Sequence, residues 1–211
     1  GGMVFTSGTA SRMLPCATGD GAARASEWEA DALEELGFGR IALRTNPMLD
    51  LIEEAVRWAR EQGNSGFDPL HAPPEDDGAF GLLREGRTLG VPLFESPSLR
   101  ARLRSSPPGD VKELLGLLAE LNGGAALPSF EDVSLSLGAL IVRAREKTAY
   151  FAAALSQAAG DKGRTAALLE AARREGIGLR PLDLNCSVWR WAPEGNALRP
   201  GFQVVHGFTE S

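Results

Sequence analysis

The sequence predicts an α+β chain that is mainly helical, and three observations predict it. Apolar residues recur at helical spacing in long segments from Pro47 onward, short extended runs gather near the two ends, and clusters of Pro, Gly, Asn and Asp punctuate the rest. A chain of 211 residues, 43% hydrophobic and 24% charged, is long enough for one or two packed cores without disulfide staples.

The elements follow in order. "MVFT" (3–6) is a short apolar run before the turn-rich "SGTAS" and reads as a strand. The helix "EWEADALEELG" comes next, with Glu27 and Glu29 early, where negative charge suits the N-terminal dipole, and Gly37 as its stop. "RIAL" (40–43) alternates well enough for a second strand. The clearest helix is "NPMLDLIEEAVRWAREQG": Asn46 can cap it, Pro47 fits the first helical position, and Leu49, Ile52, Val56 and Ala59 form a stripe before Gly63. Residues 64–78 read as a loop, and 79–85 as a short helix. "TLGVPLF" reads as extended, with Pro92 arguing against a central strand. Helices are expected at 97–104 and 109–121, the second capped by Asp110 and closed by Gly123 and Gly124. Residues 129–158 read as one helical stretch and 161–175 as another, ending at Gly176. Beyond it, "VWRW" and "FQVV" read as extended pieces around the turn "APEGN".

Charge narrows the functional classes. The net charge is −6, and residues 1–80 hold 6 Lys and Arg against 14 Asp and Glu, while 81–211 hold 16 against 14. Nucleic-acid binding over the whole surface is therefore disfavoured, because phosphate contact is carried by basic charge. A local basic face stays open: Arg84, Arg87, Arg100, Arg102 and Arg104 are opposed in their stretch only by Glu85 and Glu95, with a solvated helical face as the alternative. Arg143, Arg145 and Lys147 form a second basic group. His71 and His206 have no second ligand at metal-binding spacing and read as surface or loop residues. The acidic runs at 34–35, 53–54 and 75–77 read as solvated helix starts or faces. Trp189 and Trp191 share one face of a strand, where packing is expected rather than base stacking. Cys16 and Cys186 read as reduced thiols of a cytoplasmic protein, and no apolar run approaches the roughly 20 residues that cross a bilayer. Gly1 and Gly2 before Met3 fit either a tag scar or the inside of a longer chain.

Three separated stretches, in order, resemble the bacterial DNA polymerase III alpha subunit and its error-prone relatives. "SEWEADALEELGFGRI" with "PMLDLIEEAVRWA" is similar to the end of that family's palm and the helix after it. "LLREGRTLGVPLFESPSLRARLR" is similar to its fingers around the "GVFQLES" core, where Glu95 and Ser96 match while Pro92, Leu93 and Phe94 depart. "KTAYFAAALSQAAGDKGRTAALLEAARREGIGLRPLDLNCS" is similar to its helices and "PPDVN"-like turn. "GGMVFTSG" and "VVHGFTE" look like flanking segments of the family.

The resemblance implies three parts: a palm-like remnant at 1–63, a fingers-like helical segment at 64–127 and a helical segment ending in short strands at 128–211. It also places Ala42, without gaps, at the family's third catalytic aspartate, and a methyl group cannot coordinate Mg²⁺, which needs oxygen ligands. The other two aspartates belong to an upstream palm segment outside this sequence, and two-metal phosphoryl transfer requires them. The family's "RPGP" turn becomes Asn122, Gly123, Gly124 and Ala125, the fingers insert after it is missing, and Gly207 and Phe208 replace the start of its DNA-binding hairpin. The expectation is a catalytically inactive polymerase-like protein, without a cofactor, that acts by binding in DNA replication or repair. Its expected partner is DNA through the basic residues, or a polymerase or translesion accessory protein. Two alternatives stay open: a fragment of a split or error-prone polymerase, and an interaction domain with no DNA role.

Overall fold

The computed structural model describes residues 2–5, 14–18, 24–42, 45–73, 75–121, 128–205, 207 and 208; Leu43, Asn122 to Ala125 and His206 lie outside them. Contacts gather the chain into two compact units, Gly1–Asn46 and Pro47–Ser211.

In the first unit the described elements are β1 (Gly2–Phe5), β2 (Cys16–Thr18), β3 (Arg24–Ser26), helix α1 (Ala30–Glu35) and β4 (Gly39–Ala42). β1 pairs antiparallel with β4, Gly2 opposite Ala42 and Met3 opposite Ile41, and β2 pairs antiparallel with β3. The helix expected from Glu27 starts only at Ala30. The Glu27 N–H bonds the Pro15 carbonyl at 3.0 Å, continuing the β-type pairing, and the Trp28 N–H is taken by Ser26 Oγ at 3.1 Å. Gly37, at φ +77°, ends the helix where only glycine turns cheaply, and the Phe38 N–H reaches back to the Leu33 carbonyl.

The second unit holds α2 (Pro47–Glu61), α3 (Asp77–Arg84), α4 (Pro97–Ser105), α5 (Val111–Leu121), α6 (Phe130–Arg145), α7 (Lys147–Gln157), α8 (Lys162–Arg174) and strands β5 (Gly178–Leu179), β6 (Ala192–Glu194) and β7 (Ala197–Arg199). α6 and α7 form its centre, packed against each other and against α2; α3 adds to α6, and α8 and β6 add to α7. Their sequences explain the position: residues 135–143 and 148–156 are buried without a break, and a helix buried all round must lie inside. The stretch expected as one helix bends at Glu146, whose backbone (φ −129°, ψ 55°) leaves the helical region. Its N–H closes on the Val142 carbonyl, its own carbonyl accepts from the Tyr150 N–H, and its Oε1 accepts from Asn64 Nδ2 at 2.8 Å.

α3 starts earlier than its sequence suggested. Asp76 Oδ1 accepts from the Ala79 N–H at 3.0 Å and caps the helix, while Oδ2 takes Arg145 Nη2 at 2.5 Å. The acidic run at 75–77 is thus a helix start, but Asp76 is not solvated: only 9% of its side chain is exposed. Burial pushes its carboxyl up, yet the Ala79 N–H and Arg145 outweigh this and hold it below the ordinary range. A lowered carboxyl pKa contributes stability above the unfolded value of about 4 that disappears as pH falls through the folded value. Asp76→Ala is expected to cost about 1 kcal/mol at pH 6. In urea unfolding at pH 6 and pH 3, the wild type should lose part of its advantage over the variant at the lower pH.

The C-terminal strands differ from expectation. "VWRW" is not a strand; the Phe202 and Gln203 N–H groups bond the carbonyls of Val188 and Trp189, and Gly201 lies so close to the Trp189 and Arg190 carbonyls that no side chain fits there. β6 and β7 form a hairpin across Gly195 (φ +58°) and Asn196, so "APE" is strand rather than turn, and β5 adds parallel to β7. "FQVV" contains a 3-10 turn at Phe202–Val204. Burial still alternates: Trp191 is in the core and Trp189 half-buried, with Val188 and Arg190 outside.

Candidate nucleic-acid interface

The loop between α3 and α4, residues 86–96, is held from several sides. Gly86 (φ +63°) and Gly90 (φ +92°) supply turns that other residues resist, and a Cβ at Gly90 would lie 2.6 Å from the Tyr150 hydroxyl. Thr88 Oγ1 donates to the Phe94 carbonyl at 2.5 Å, and Phe94 is fully buried. Pro92 opens a 3-10 turn, Pro92–Phe94, where its missing N–H costs nothing; the extended segment expected here is a turn. Glu95 Oε2 accepts from the Gly90 N–H at 2.9 Å and Oε1 from Arg164 Nη1 at 3.0 Å. Ser96 Oγ accepts from the Leu99 N–H at 3.3 Å and caps α4. Glu95 and Ser96, which the resemblance aligns with the end of the fingers motif, are therefore fasteners of this loop.

Beneath the loop lies a buried charge pair. Arg143 is 2% exposed; its Nη1 donates to the Leu89 carbonyl at 2.8 Å and its Nη2 to Glu175 Oε1 at 2.5 Å. The guanidinium also lies over the rings of Tyr150 and Phe151, 5.4 and 4.9 Å from their centroids. Burial pushes the Tyr150 hydroxyl up to about 12 despite the pull of Arg143, so it stays protonated and donates to the Leu89 carbonyl at 3.2 Å. Glu175 also receives Arg87 Nη2 at 3.1 Å, and its carbonyl accepts from Lys147 Nζ at 3.1 Å. The hydrogen bond to Glu85, with Glu175 behind it, holds the Arg87 charge more firmly than in a free side chain.

Over this floor opens a cleft of about 520 Å³ lined by Arg87, Arg100, Arg143 and Arg174 against Glu170 and Glu175. Arg100 Nε donates to the Gly86 carbonyl at 2.9 Å, and Arg104 Nη1 lies 2.8 Å from where a Cβ at residue 86 would sit. Arg174 Nε meets Glu170 at 3.1 Å on the exposed side. Residues from both sequence-selected groups thus converge, with Arg143 as a correction: its buried guanidinium is committed to Glu175 and Leu89 and does not present charge to solvent. The others are dispersed. Arg84 is exposed at the end of α3, Arg102 pairs with Glu120 at 3.0 Å, and Arg145 pairs with Asp76. Arg174 and Glu175 were not selected from the sequence; two arginines and a glutamate at a helix end carry no signal of a partner 32 residues away.

Elsewhere, His71 pairs with Asp68 at 2.8 Å, and Cys16 and Cys186 are free. Among the described residues, no group of three or more His, Cys, Asp or Glu could hold a metal ion, and no helix is long and apolar enough to cross a membrane. Ala42 ends β4.

Residues 48–126, from α2 through α5, match the family described as the bacterial DNA polymerase III alpha subunit finger domain. The chain is polymerase III alpha-like. It is 30% identical over 94 residues to DNA polymerase III subunit alpha of Borreliella burgdorferi, covering 44% of this chain and 8% of that protein. Against the Bacillus subtilis subunit it is 25% identical over 133 residues, 62% of this chain and 12% of the relative. An error-prone DNA polymerase of Azoarcus sp. is 26% identical over 125 residues, 59% and 12% respectively. The chain spans about a tenth of the length of these curated relatives. In the polymerase III alpha-like finger segment, Arg87, Arg100 and Arg104 lie inside the matched residues, whereas Arg143, Arg174 and Glu175 come from helices beyond them.

Proposed function

We propose that this chain is a DNA-binding, non-catalytic relative of the polymerase III alpha subunit that acts in DNA replication or repair by gripping backbone phosphates in the arginine cleft. One observation carries the reading: in a chain of net charge −6, Arg87, Arg100 and Arg174 line one cleft with Leu89, and Arg104 lies against Gly86 beside it. Guanidinium groups suit phosphate oxygens through paired, charge-assisted hydrogen bonds. Such contacts fix a protein on nucleic acid without reading sequence. The absence of catalysis is supported by the donor set. Mg²⁺ needs oxygen ligands, and the alanine at position 42, where the resemblance puts a metal-holding aspartate, offers none.

The test is binding of labelled single-stranded, duplex and primer-template DNA across a salt series, with primer extension assayed in the same tubes. Affinity in the micromolar range or tighter, falling steeply with salt and without extension, is the expected result. No binding at low salt overturns the DNA reading. Extension of the primer overturns the non-catalytic one, together with the alignment of Ala42 to a catalytic position.

A further inference from the structure

Away from the arginine cleft, a second cleft of about 760 Å³ opens between α2, the end of α7 and residues 188–190. Its chemistry is the opposite. Asp50, Glu53 and Glu54 fall at i, i+3 and i+4, so α2 turns three carboxylates to one side, and the sequence reading of 53–54 as a solvated face fails for Glu54, whose side chain is 6% exposed. Trp58 and Trp189 supply aromatic surface beside them. Glu54 Oε2 accepts from Arg190 Nη1 at 2.8 Å, but Oε1 has no hydrogen-bond partner and lies 3.8 Å from Arg57 Nη2. Trp58 Nε1 is also buried without a partner. This buried carboxylate therefore keeps one oxygen without a hydrogen bond, although arginines flank it on both sides. The protein shows which chemistry suits the site, since it places the Arg57 guanidinium 5.1 Å over the Trp58 ring and brings the half-exposed Arg190 onto Glu54.

We propose that this cleft is a docking site for an arginine or lysine side chain on a basic segment of a partner protein, received between the tryptophan surfaces and the carboxylates of Asp50, Glu53 and Glu54. Charge complementarity selects this occupant. The lining carries three carboxylates against two guanidinium groups, which repels a phosphodiester strand and attracts a cation, and aromatic rings beside carboxylates hold guanidinium and ammonium groups well. Unlike the DNA reading, this does not rest on the arginine cleft.

The experiment follows the tryptophan indole N–H signals by two-dimensional NMR during titration with an eight-residue Arg-Leu peptide, with assignments from Trp58→Phe and Trp189→Phe. The signals of Trp58 and Trp189 should shift saturably while that of Trp28 stays in place. The same peptide with citrulline for arginine, and the variant Asp50→Asn/Glu53→Gln, whose changes lie on the exposed side of α2, should each weaken binding about tenfold or more. Equal shifts with citrulline, or unchanged affinity in the double variant, overturn the proposal. Movement of the same two signals by a single-stranded oligonucleotide instead of the peptide assigns the cleft to a nucleobase and also overturns it.

Discussion

Arg143→Ala should lower the unfolding free energy by about 3–5 kcal/mol. Truncation leaves Glu175, itself 6% exposed, with Arg87 as its remaining cation, and frees the Leu89 carbonyl from its charge-assisted partner. It also uncovers the faces of Tyr150 and Phe151. Arg143→Met, which keeps the volume, should cost nearly as much, because the loss is the stranded carboxylate rather than a cavity. Adding Glu175→Gln to Arg143→Met should then recover stability, since a neutral pair no longer demands compensation. Urea denaturation of the three variants measures this cycle. Additive losses in the double variant would show that the two side chains act independently.

Reversing Arg100, Arg104 and Arg174 together to glutamate should weaken DNA binding about 1,000-fold, taking about 1.5 kcal/mol for each charge-assisted hydrogen bond removed. The dependence of log affinity on log salt should flatten by about 2–3, close to one unit per phosphate neutralised on duplex DNA. Arg102→Glu is the control, since Arg102 lies outside the cleft lining, against Glu120, and should leave the slope unchanged. Circular dichroism of the triple variant separates impaired binding from impaired folding. A triple variant that binds as well as wild type moves the phosphate site elsewhere.

Much of the framework was legible in the sequence because it depends on local signals. Pro47 with its apolar stripe, Asp110 ahead of α5 and Asp161 ahead of α8 mark helix starts through caps and periodicity alone, and the side chains of Asp110 and Asp161 do accept from Glu113 and Arg164. The boundaries that failed are those set by distant partners. Glu146 breaks the central helical stretch while held by Asn64, 82 residues earlier, and Val188 to Trp191 are kept from strand pairing by the backbone at 201–203. The site divides the same way. Charge density picked out Arg87, Arg100 and Arg104, but no pattern along the chain distinguishes an arginine turned outward from one, like Arg143, folded into the core. Glu95 and Ser96 stood out only by resemblance, and their role became clear only through Gly90, Arg164 and Leu99.

The bond from Arg190 to Glu54 joins residues 136 apart, and the Gln157 amide joins the Pro47 carbonyl across 110. Contacts that close such large loops bring little return until the helices between them have condensed, so they form late on the folding route. The first and last parts of this unit are then assembled together at the end. A nascent chain emerging from the ribosome must release residues 188–190 before the surroundings of α2 are complete.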